Sequence, residues 1–311
     1  MELIMDLLEW MLIATLCTEI ILIVVVLLYC RFFEKRGLRT AGFCKKRWFV
    51  NYLKGAVLGM LFFAAAYLVC LVTGSIRCEG ISDQMVPGYL VGYLFGYLIQ
   101  GMAEEVLCRG YLFVSLSRRY SVSYSAVLSA SFFALLHGMN SGLSFLAMFN
   151  IFLFGIFAAL MLVRYENIWI VGAFHSLWNF AQGNLFGVQV SGMEVQNSVL
   201  ATTSKENFSV INGGNFGMEG GLGVTLVLGI GIFWMLRSLE HQNKIIKKDI
   251  APQEEMVQPK ESGLQAETIL SKESMPQGEV IPEEKTVSQE NNTPQRENMG
   301  LNPNETPWHP E

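Results

Sequence analysis

Apolar runs separated by short polar segments dominate the chain from about residue 7 to residue 239. An α-helix needs roughly 20 apolar residues to cross the hydrocarbon core of a bilayer, and seven of the runs reach or approach that length. The pattern therefore predicts an all-α fold, a polytopic transmembrane helical bundle of about seven spans. The predicted spans are residues 8–30, 50–73, 88–117, 121–139, 142–163, 167–185 and 219–237.

The composition changes beyond residue 240. Residues 241–311 are rich in Glu, Gln, Asn, Pro and Lys, and they contain almost no aromatic side chains. Such a segment cannot bury enough apolar surface to offset the entropy that is lost on ordering, so we expect a disordered C-terminal tail. The chain then divides into a first helix with a basic loop (1–49), a membrane-embedded core (50–240) and the tail (241–311).

Basic residues are concentrated in every second loop between the predicted spans. They are Arg31, Lys35, Arg36, Arg39, Lys45, Lys46 and Arg47 in the first loop, then Arg118, Arg119 and Arg164, then Arg237, Lys244, Lys247 and Lys248 after the last span. The intervening loops carry only Arg77 and Lys205. Because cytoplasmic loops are enriched in Lys and Arg, we expect an integral membrane protein with its N-terminus outside and its C-terminal tail in the cytoplasm.

A short repeat places Gly88, Gly92 and Gly96 four residues apart, each followed by Tyr-Leu. Glycines at this spacing form a flat helix surface onto which another helix packs closely. The repeat therefore predicts a packing seam. A substrate path lined by the three tyrosines is the functional alternative.

Two adjacent carboxylates and an arginine interrupt the third predicted span at Glu104, Glu105 and Arg109. An ionisable residue inside a spanning helix is costly unless it is paired or hydrated. Glu105 and Arg109 are four residues apart, so they share one helix face and form a neutralising pair. Glu104 points about 100° away without a helix partner, which makes it the candidate general base. A charge cluster that only pins helices together is the alternative.

Two of the four histidines, His137 and His175, lie within predicted spans. His175 and Asn179 are four residues apart, so both face the same way. A single histidine on an apolar helix face is more often a hydrogen-bonded core residue. Together with the glutamates, however, these residues supply a general base, two imidazoles and a neutral amide donor, a set suited to hydrolysing a peptide bond.

The depths of these groups agree only in part. Counted at about 1.5 Å per residue, Glu104 lies about 20 Å and His137 about 24 Å from the cytoplasmic edge, whereas His175 lies about 13 Å from it. We therefore expect Glu104 and His137 to meet in the outer half of the bilayer. His175 would reach them only if its helix is tilted or enters the membrane late.

Over about residues 50–236 the chain resembles the CAAX proteases and bacteriocin-processing enzymes, the CPBP or Abi family. The family has three motifs on separate helices: Glu-Glu-x-x-x-Arg, Phe-x-x-x-His and His-x-x-x-Asn or Asp. They are matched in order by Glu104, Glu105 and Arg109, by Phe133 and His137, and by His175 and Asn179. Asn150, Gly155 and the glycine-rich residues 213–221 fit weaker family patterns.

The resemblance implies an intramembrane endopeptidase. In the family's usual account, Glu104 and His137 activate water, while His175 and Asn179 stabilise the oxyanion. Arg109 holds Glu105, and Phe133 belongs to the second motif. Zinc is an older proposal for the family, and here Glu104, His137 and His175 would be its ligands. We favour metal-free acid–base chemistry with no cofactor.

Two other functions compete with this hypothesis. One is a non-enzymatic bacteriocin-immunity or scaffold protein of the same fold. The other is a transporter in which embedded Glu and His relay protons, although the sequence lacks the inverted repeat and paired broken helices of many transporters. We expect a bacterial cell membrane as the location. The expected partners are the lipid bilayer and a peptide or protein substrate within or at the membrane, with no nucleic acid.

Overall fold

The computed structural model describes residues 2–255, with side chains described for residues 4–243. Helices follow one another along most of this part of the chain, as the hydrophobic pattern predicts. Their bounds are α1 Glu2–Thr18, α2 Ile20–Phe32, α3 Trp48–Val72, α4 Pro87–Glu105, α5 Val114–Ser117, α6 Val122–Leu136, α7 Phe145–Tyr165, α8 Ile168–Phe180, α9 Ser209–Asn212 and α10 Leu222–Glu255.

Each of the seven predicted spans contains helix, but they differ in their ability to cross a bilayer. Within the described residues, four helical segments are long and apolar enough to do so. They are Ile4–Phe32, Trp48–Val72, Phe145–Tyr165 and Leu222–Asn243. The other three predicted spans are short or carry the charged cluster. The molecule is thus a polytopic helical bundle, and the count of seven spans stays a prediction.

The last helix, α10, continues to Glu255, beyond residue 240, where the tail was expected to begin. The first residues assigned to a disordered tail are therefore helical. The rest of the predicted tail, residues 256–311, lies outside the described residues, so its disorder stays a prediction.

A small antiparallel sheet departs from the all-α prediction. Strand β1 (Ile76–Ile81) pairs with β2 (Leu200–Ser204), with a bulge between Cys78 and Gly80. The two strands are more than a hundred residues apart in the chain. Because their pairing is not local, the short polar segments that form them carry no sequence signal stronger than that of a loop.

Contacts between loops show which loops lie at the same end of the bundle. At one end, the backbone N–H of Ile168 donates to the carbonyl of Gly42 at 2.9 Å, and Arg164 donates to Ser238 at 2.8 Å. These contacts gather the basic loops at one end. At the other end, Asn212 donates to the carbonyl of Ser75 at 2.8 Å, close to the sheet. The alternation of loops agrees with the charge pattern, while the end that faces the cytoplasm stays a prediction.

Helix α8 lies at the centre of the bundle, and nearly all of its residues are buried. Glycines let two neighbours approach it closely. A Cβ on Gly59 of α3 would lie 2.2 Å from the carbonyl oxygen of Phe174, and one on Gly101 of α4 would lie 2.6 Å from the backbone nitrogen of Ser176. The side chains of α8 are therefore held against both helices, and His175 is one of them.

The glycine repeat on α4 forms a packing seam, the structural alternative of the two considered above. A Cβ on Gly92 would lie 2.8 Å from Ile13, and one on Gly96 would lie 2.9 Å from Leu16. Tyr93 is fully buried in this interface and donates to the buried carboxylate of Glu9 at 2.5 Å. Helix α1 therefore covers α4 on the side where the tyrosines lie.

Candidate active site

The helix that carries both glutamates changes its winding where they lie. Helix α4 ends at Glu105, and the chain continues as a π-helix over Val106–Phe113 before α5 begins. A π-helical turn is uncommon and occurs often at functional sites. This turn holds Arg109, so the candidate site coincides with the irregular part of the helix.

Glu105 receives two donors in a fully buried position. Its Oε1 atom accepts from Nη1 of Arg109 at 3.0 Å and from Nδ1 of His175 at 2.9 Å. The side chains of Glu105 and Arg109 have no exposed surface. The predicted pair is present, and the structure adds His175 to it. Because a carboxylate accepts from Nδ1, the hydrogen of a neutral His175 lies on Nδ1 and Nε2 is left as the acceptor.

The guanidinium of Arg109 also contacts an aromatic ring. It lies 4.4 Å from the centroid of the Phe133 ring, in cation–π geometry. Phe133 in turn packs against His175, with ring centroids 5.8 Å apart. Phe133 therefore belongs to the packing that holds the charged groups in place.

Glu104 has a helix partner that the sequence prediction missed. Its Oε1 atom accepts from Nε2 of Gln100 at 2.5 Å, one turn earlier on α4. Oε1 of Gln100 accepts from Nδ2 of Asn179 at 2.9 Å. The expectation that Glu104 lacks a helix partner was therefore wrong. The i, i+4 spacing of Gln100 and Glu104 is the signal that could have revealed this pair.

The second oxygen of Glu104 remains available for chemistry. Oε2 is buried and accepts no hydrogen bond from any described residue. It lies 3.7 Å from Nε2 of His175, too far for a direct hydrogen bond. His175 thus has one carboxylate bound to Nδ1 and a second one near Nε2.

His137 lies at the C-terminal end of α6. Its Nδ1 atom donates to the carbonyl of Phe133 at 2.9 Å, so Nε2 is the acceptor of the neutral ring. Nε2 forms no hydrogen bond with any described residue, and His137 forms neither a hydrogen bond nor an ion pair with Glu104. The structure therefore connects His137 to the other motif residues through Phe133 and a shared cavity.

This cavity has a volume of about 20 Å³ and is lined by both histidines. Its size corresponds to roughly one water molecule. The apolar part of its wall comes from the aromatic rings of Phe133, Phe154 and Trp178 and from three aliphatic side chains. Two imidazoles therefore face a water-sized space whose wall is partly apolar.

A third carboxylate, Glu219, also lines the cavity. One of its oxygens accepts from the backbone N–H of Ser191 at 2.8 Å and from the Ser191 hydroxyl at 2.6 Å. The other accepts from Nε1 of Trp178 at 3.3 Å. The glycine-rich segment around Glu219 fits a weaker family pattern, but Glu219 itself was not predicted as a site residue. The presence of an acidic residue in that segment is the sequence feature that could have identified Glu219 as a site residue.

Asn150 fixes the glycine-rich segment to α7. Its Nδ2 atom donates to the carbonyls of Glu219 at 2.7 Å and Gly221 at 2.9 Å, and its Oδ1 atom accepts from Thr225 at 2.7 Å. Asn150 is almost fully buried. It therefore holds in place the turn that brings Glu219 to the cavity.

His175 reaches Glu104 despite the difference in depth that residue counting gave. The estimates for Glu104 and His175 differed by about 7 Å, yet the structure brings the two side chains into contact. The count treats each helix as parallel to the membrane normal. The close crossing of α4 and α8 at Gly101 and Ser176 places the two side chains together.

The zinc ligand set named above, Glu104, His137 and His175, does not converge. In the part of the chain that the structure describes, no group of three His, Cys, Asp or Glu side chains is placed to hold a metal ion. His175 also directs Nδ1 to Glu105 rather than to a shared centre. The residues therefore do not fit a zinc site in this arrangement.

Fold and site together define a polytopic membrane protein with a buried Glu–His cluster of the kind that hydrolysis requires. Residues 86–181 match the family model described as Rce1-like, type II CAAX prenyl endopeptidase. This segment contains all seven predicted site residues, and over its length the resemblance to the CPBP family inferred from the motifs is confirmed. The family is a protease family, so the match supports a CAAX-type intramembrane protease and hence a hydrolase. No curated protein and no solved structure matches the chain.

Proposed function

We propose that this protein is an intramembrane endopeptidase that cleaves membrane-associated or leader-bearing peptides with water activated by Glu and His, without a metal. The observation that carries the proposal is the position of His175. It lies between the carboxylates of Glu104 and Glu105 and shares a water-sized cavity with His137. The motif residues thus supply acceptors for the proton of a water and donors for an oxyanion.

The first step is the attack of water on the scissile carbonyl. Oε2 of Glu104, Oε2 of Glu105 and Nε2 of His137 accept no hydrogen bond from the described residues. We assign Glu104 and His137 to the water, because Glu105 is already paired with Arg109 and His175. In the proposed step, Glu104 takes a proton from the water while His137 orients it. The water oxygen bonds to the carbonyl carbon, and the electron pair of the C=O π bond moves to the oxygen. The product is a tetrahedral intermediate with one oxyanion.

The second step is collapse of the intermediate. We assign stabilisation of the oxyanion to the Nε2–H of protonated His175 and to the amide hydrogen of Asn179 that Gln100 does not use. Glu105 and Arg109 hold the imidazole in position. The C–N bond then breaks, the C=O bond re-forms, and the proton held by Glu104 passes to the departing nitrogen. The products are a carboxylic acid and an amine.

The position of the cavity suggests how a substrate enters. His137, Ser191 and Glu219 come from the end of the bundle that holds the sheet, opposite the basic loops. With the basic end in the cytoplasm, the site opens toward the outer side of a bacterial membrane or sideways into lipid. Substrates would then be peptides that lie in the membrane or at its outer surface.

The test compares cells that express the wild-type protein with cells that express Glu104→Gln or His137→Ala. Newly formed peptide N-termini in the membrane fraction are identified by mass spectrometry, and a synthetic peptide spanning each candidate site is incubated with purified protein. We expect cleavage by the wild type and none by the variants, at equal membrane insertion. Full cleavage by Glu104→Gln would refute the mechanism. Protection against a bacteriocin that persists in both variants, without any cleavage, would favour the immunity alternative.

A further inference from the structure

A second, much larger cavity lies at the basic end of the bundle, and none of the candidate site residues lines it. Its volume is about 990 Å³, at the upper end of the range for small-molecule sites. The apolar residues of its wall are Leu38, Phe43, Trp48 and Trp169. Such a surface suits an apolar chain better than a polar metabolite.

Three aromatic side chains form the centre of this wall. The Phe43 and Trp169 ring centroids are 5.2 Å apart, and those of Trp48 and Trp169 are 5.7 Å apart. Trp48 begins α3, and Trp169 is the second residue of α8. Tryptophan is enriched where helices of membrane proteins meet the headgroup region. The two tryptophans in this wall favour a position where lipid headgroups and acyl chains meet.

The loop that closes the cavity is fixed in place. The carbonyl of Gly42 accepts from the backbone N–H of Ile168 at 2.9 Å, and the Cys44 thiol donates to the carbonyl of Glu166 at 3.2 Å. Residues 38–41 form a short 3-10 turn just before these contacts. The cavity is thus preformed, which lowers the entropic cost of occupying it.

Two cations, Arg39 and Lys45, line the same cavity. Neither forms an ion pair with another side chain among residues 4–243. Burial raises the pKa of the Cys44 thiol above its ordinary value, although Arg39 acts in the opposite direction, so this side chain is neutral near pH 7. The lining therefore presents positive charge beside an aromatic wall.

We propose that this cavity binds an anionic phospholipid, with an acyl chain against Trp48 and Trp169 and the phosphate at Arg39 and Lys45. Basic pockets between membrane helices are a recognised way of holding acidic headgroups. An apolar wall alone would accept any lipid, and two exposed cations alone would attract any anion. Their combination in one preformed cavity selects a ligand that carries both features. The proposal does not depend on the protease assignment.

The test measures lipid retention by the purified full-length protein. Protein is reconstituted in vesicles of phosphatidylcholine containing phosphatidylglycerol, extracted in mild detergent and analysed by native mass spectrometry. We expect phosphatidylglycerol to be retained preferentially, and the preference to fall roughly tenfold or more in the double variant R39A/K45A. Trp48→Ala should lower the retention of both lipids, because it removes part of the apolar wall.

Lys46→Ala is the matched control, since Lys46 is an exposed cation of the same loop that does not line the cavity. It should retain phosphatidylglycerol like the wild type. An equal loss in Lys46→Ala and in the double variant would show diffuse surface charge and overturn the proposal. Displacement of the retained lipid by millimolar inorganic phosphate would overturn it as well, because the site would then recognise a free anion.

Discussion

Nδ1 of His175 donates to Oε1 of Glu105 at 2.9 Å, so Glu105 orients the imidazole. The other ring nitrogen of His175, Nε2, faces Glu104. The two adjacent carboxylates therefore have different surroundings. Oε2 of each carboxylate accepts no hydrogen bond from the described residues, but Glu105 is fully buried and bonded to Arg109 and His175, whereas Glu104 is bonded to the neutral Gln100. We infer a structural and orienting role for Glu105 and a chemical role for Glu104.

This division predicts different stabilities for the two alanine variants. Glu105→Ala leaves the buried Arg109 without its counter-ion and removes the acceptor of His175, at a cost of about 3–5 kcal/mol. Glu104→Ala removes only the bond from Gln100. The melting temperatures of both variants in detergent test this. If Glu104→Ala melts lower than Glu105→Ala, the two roles are reversed.

Gln100 is predicted to position Glu104. Gln100→Leu removes the bonds to both Glu104 and Asn179, so the carboxylate loses its orientation. We expect kcat to fall, by up to about 100-fold, with little change in KM. Gln84→Leu, which alters an exposed glutamine outside the site, serves as the control. A change confined to KM or to expression would argue against a positioning role.

Glu219 is predicted to hold Ser191 and the indole ring of Trp178 in place in the wall of the cavity. Glu219→Gln weakens the bonds from Ser191 and Trp178, and a hydrogen bond to a charged group contributes about 1.5–3 kcal/mol. We expect a lower melting temperature and slower cleavage, with a smaller effect for Ser191→Ala because its backbone N–H remains. Glu206→Gln, at an exposed position near the same end, should behave like the wild type. Equal melting temperatures for Glu219→Gln and Glu206→Gln would contradict this prediction.

Metal removal is predicted to leave cleavage intact. The described residues contain no set of three ligands placed around one centre, and the proposed steps use only side-chain acids and bases. Activity of the purified protein is measured before and after treatment with EDTA and with 1,10-phenanthroline. A loss that zinc restores would show that the metal-free mechanism is wrong.

The orientation of the bundle is predicted from its basic loops and is tested by cysteine labelling. Single cysteines replace Met139 and Tyr120 in a cysteine-free background, since these side chains are 96% and 52% exposed at opposite ends of α6. A membrane-impermeant thiol reagent on intact cells should label position 139 and spare position 120. The opposite pattern would invert the topology and turn the cavity toward the cytoplasm.

Local patterns in the sequence predicted the elements well. The helices, the Glu105–Arg109 pair and the packing seam at Gly92 and Gly96 all follow from spacing along a single helix. The Gln100–Glu104 bond follows the same rule. The contacts between site residues on different helices were harder to predict from the sequence, because they depend on how two helices cross. Counting residues along each helix separately did not predict that His175 reaches Glu104.

By itself, the sequence determined that this protein is a helical membrane protein, which charged residues lie inside its helices, and which family the segment 86–181 resembles. The hydrophobic periodicity and the apolar length are properties of a single segment, so they predict a helix without knowledge of what packs against it. Only the tertiary structure decided that His175 bonds to Glu105, that Glu219 reaches the cavity of the two histidines, and that β1 pairs with β2. Those contacts join residues far apart in the chain, so no local pattern predicts them. The close packing of α8 against α4 sets the first, and the hydrogen bonds of Asn150 hold the segment of Glu219.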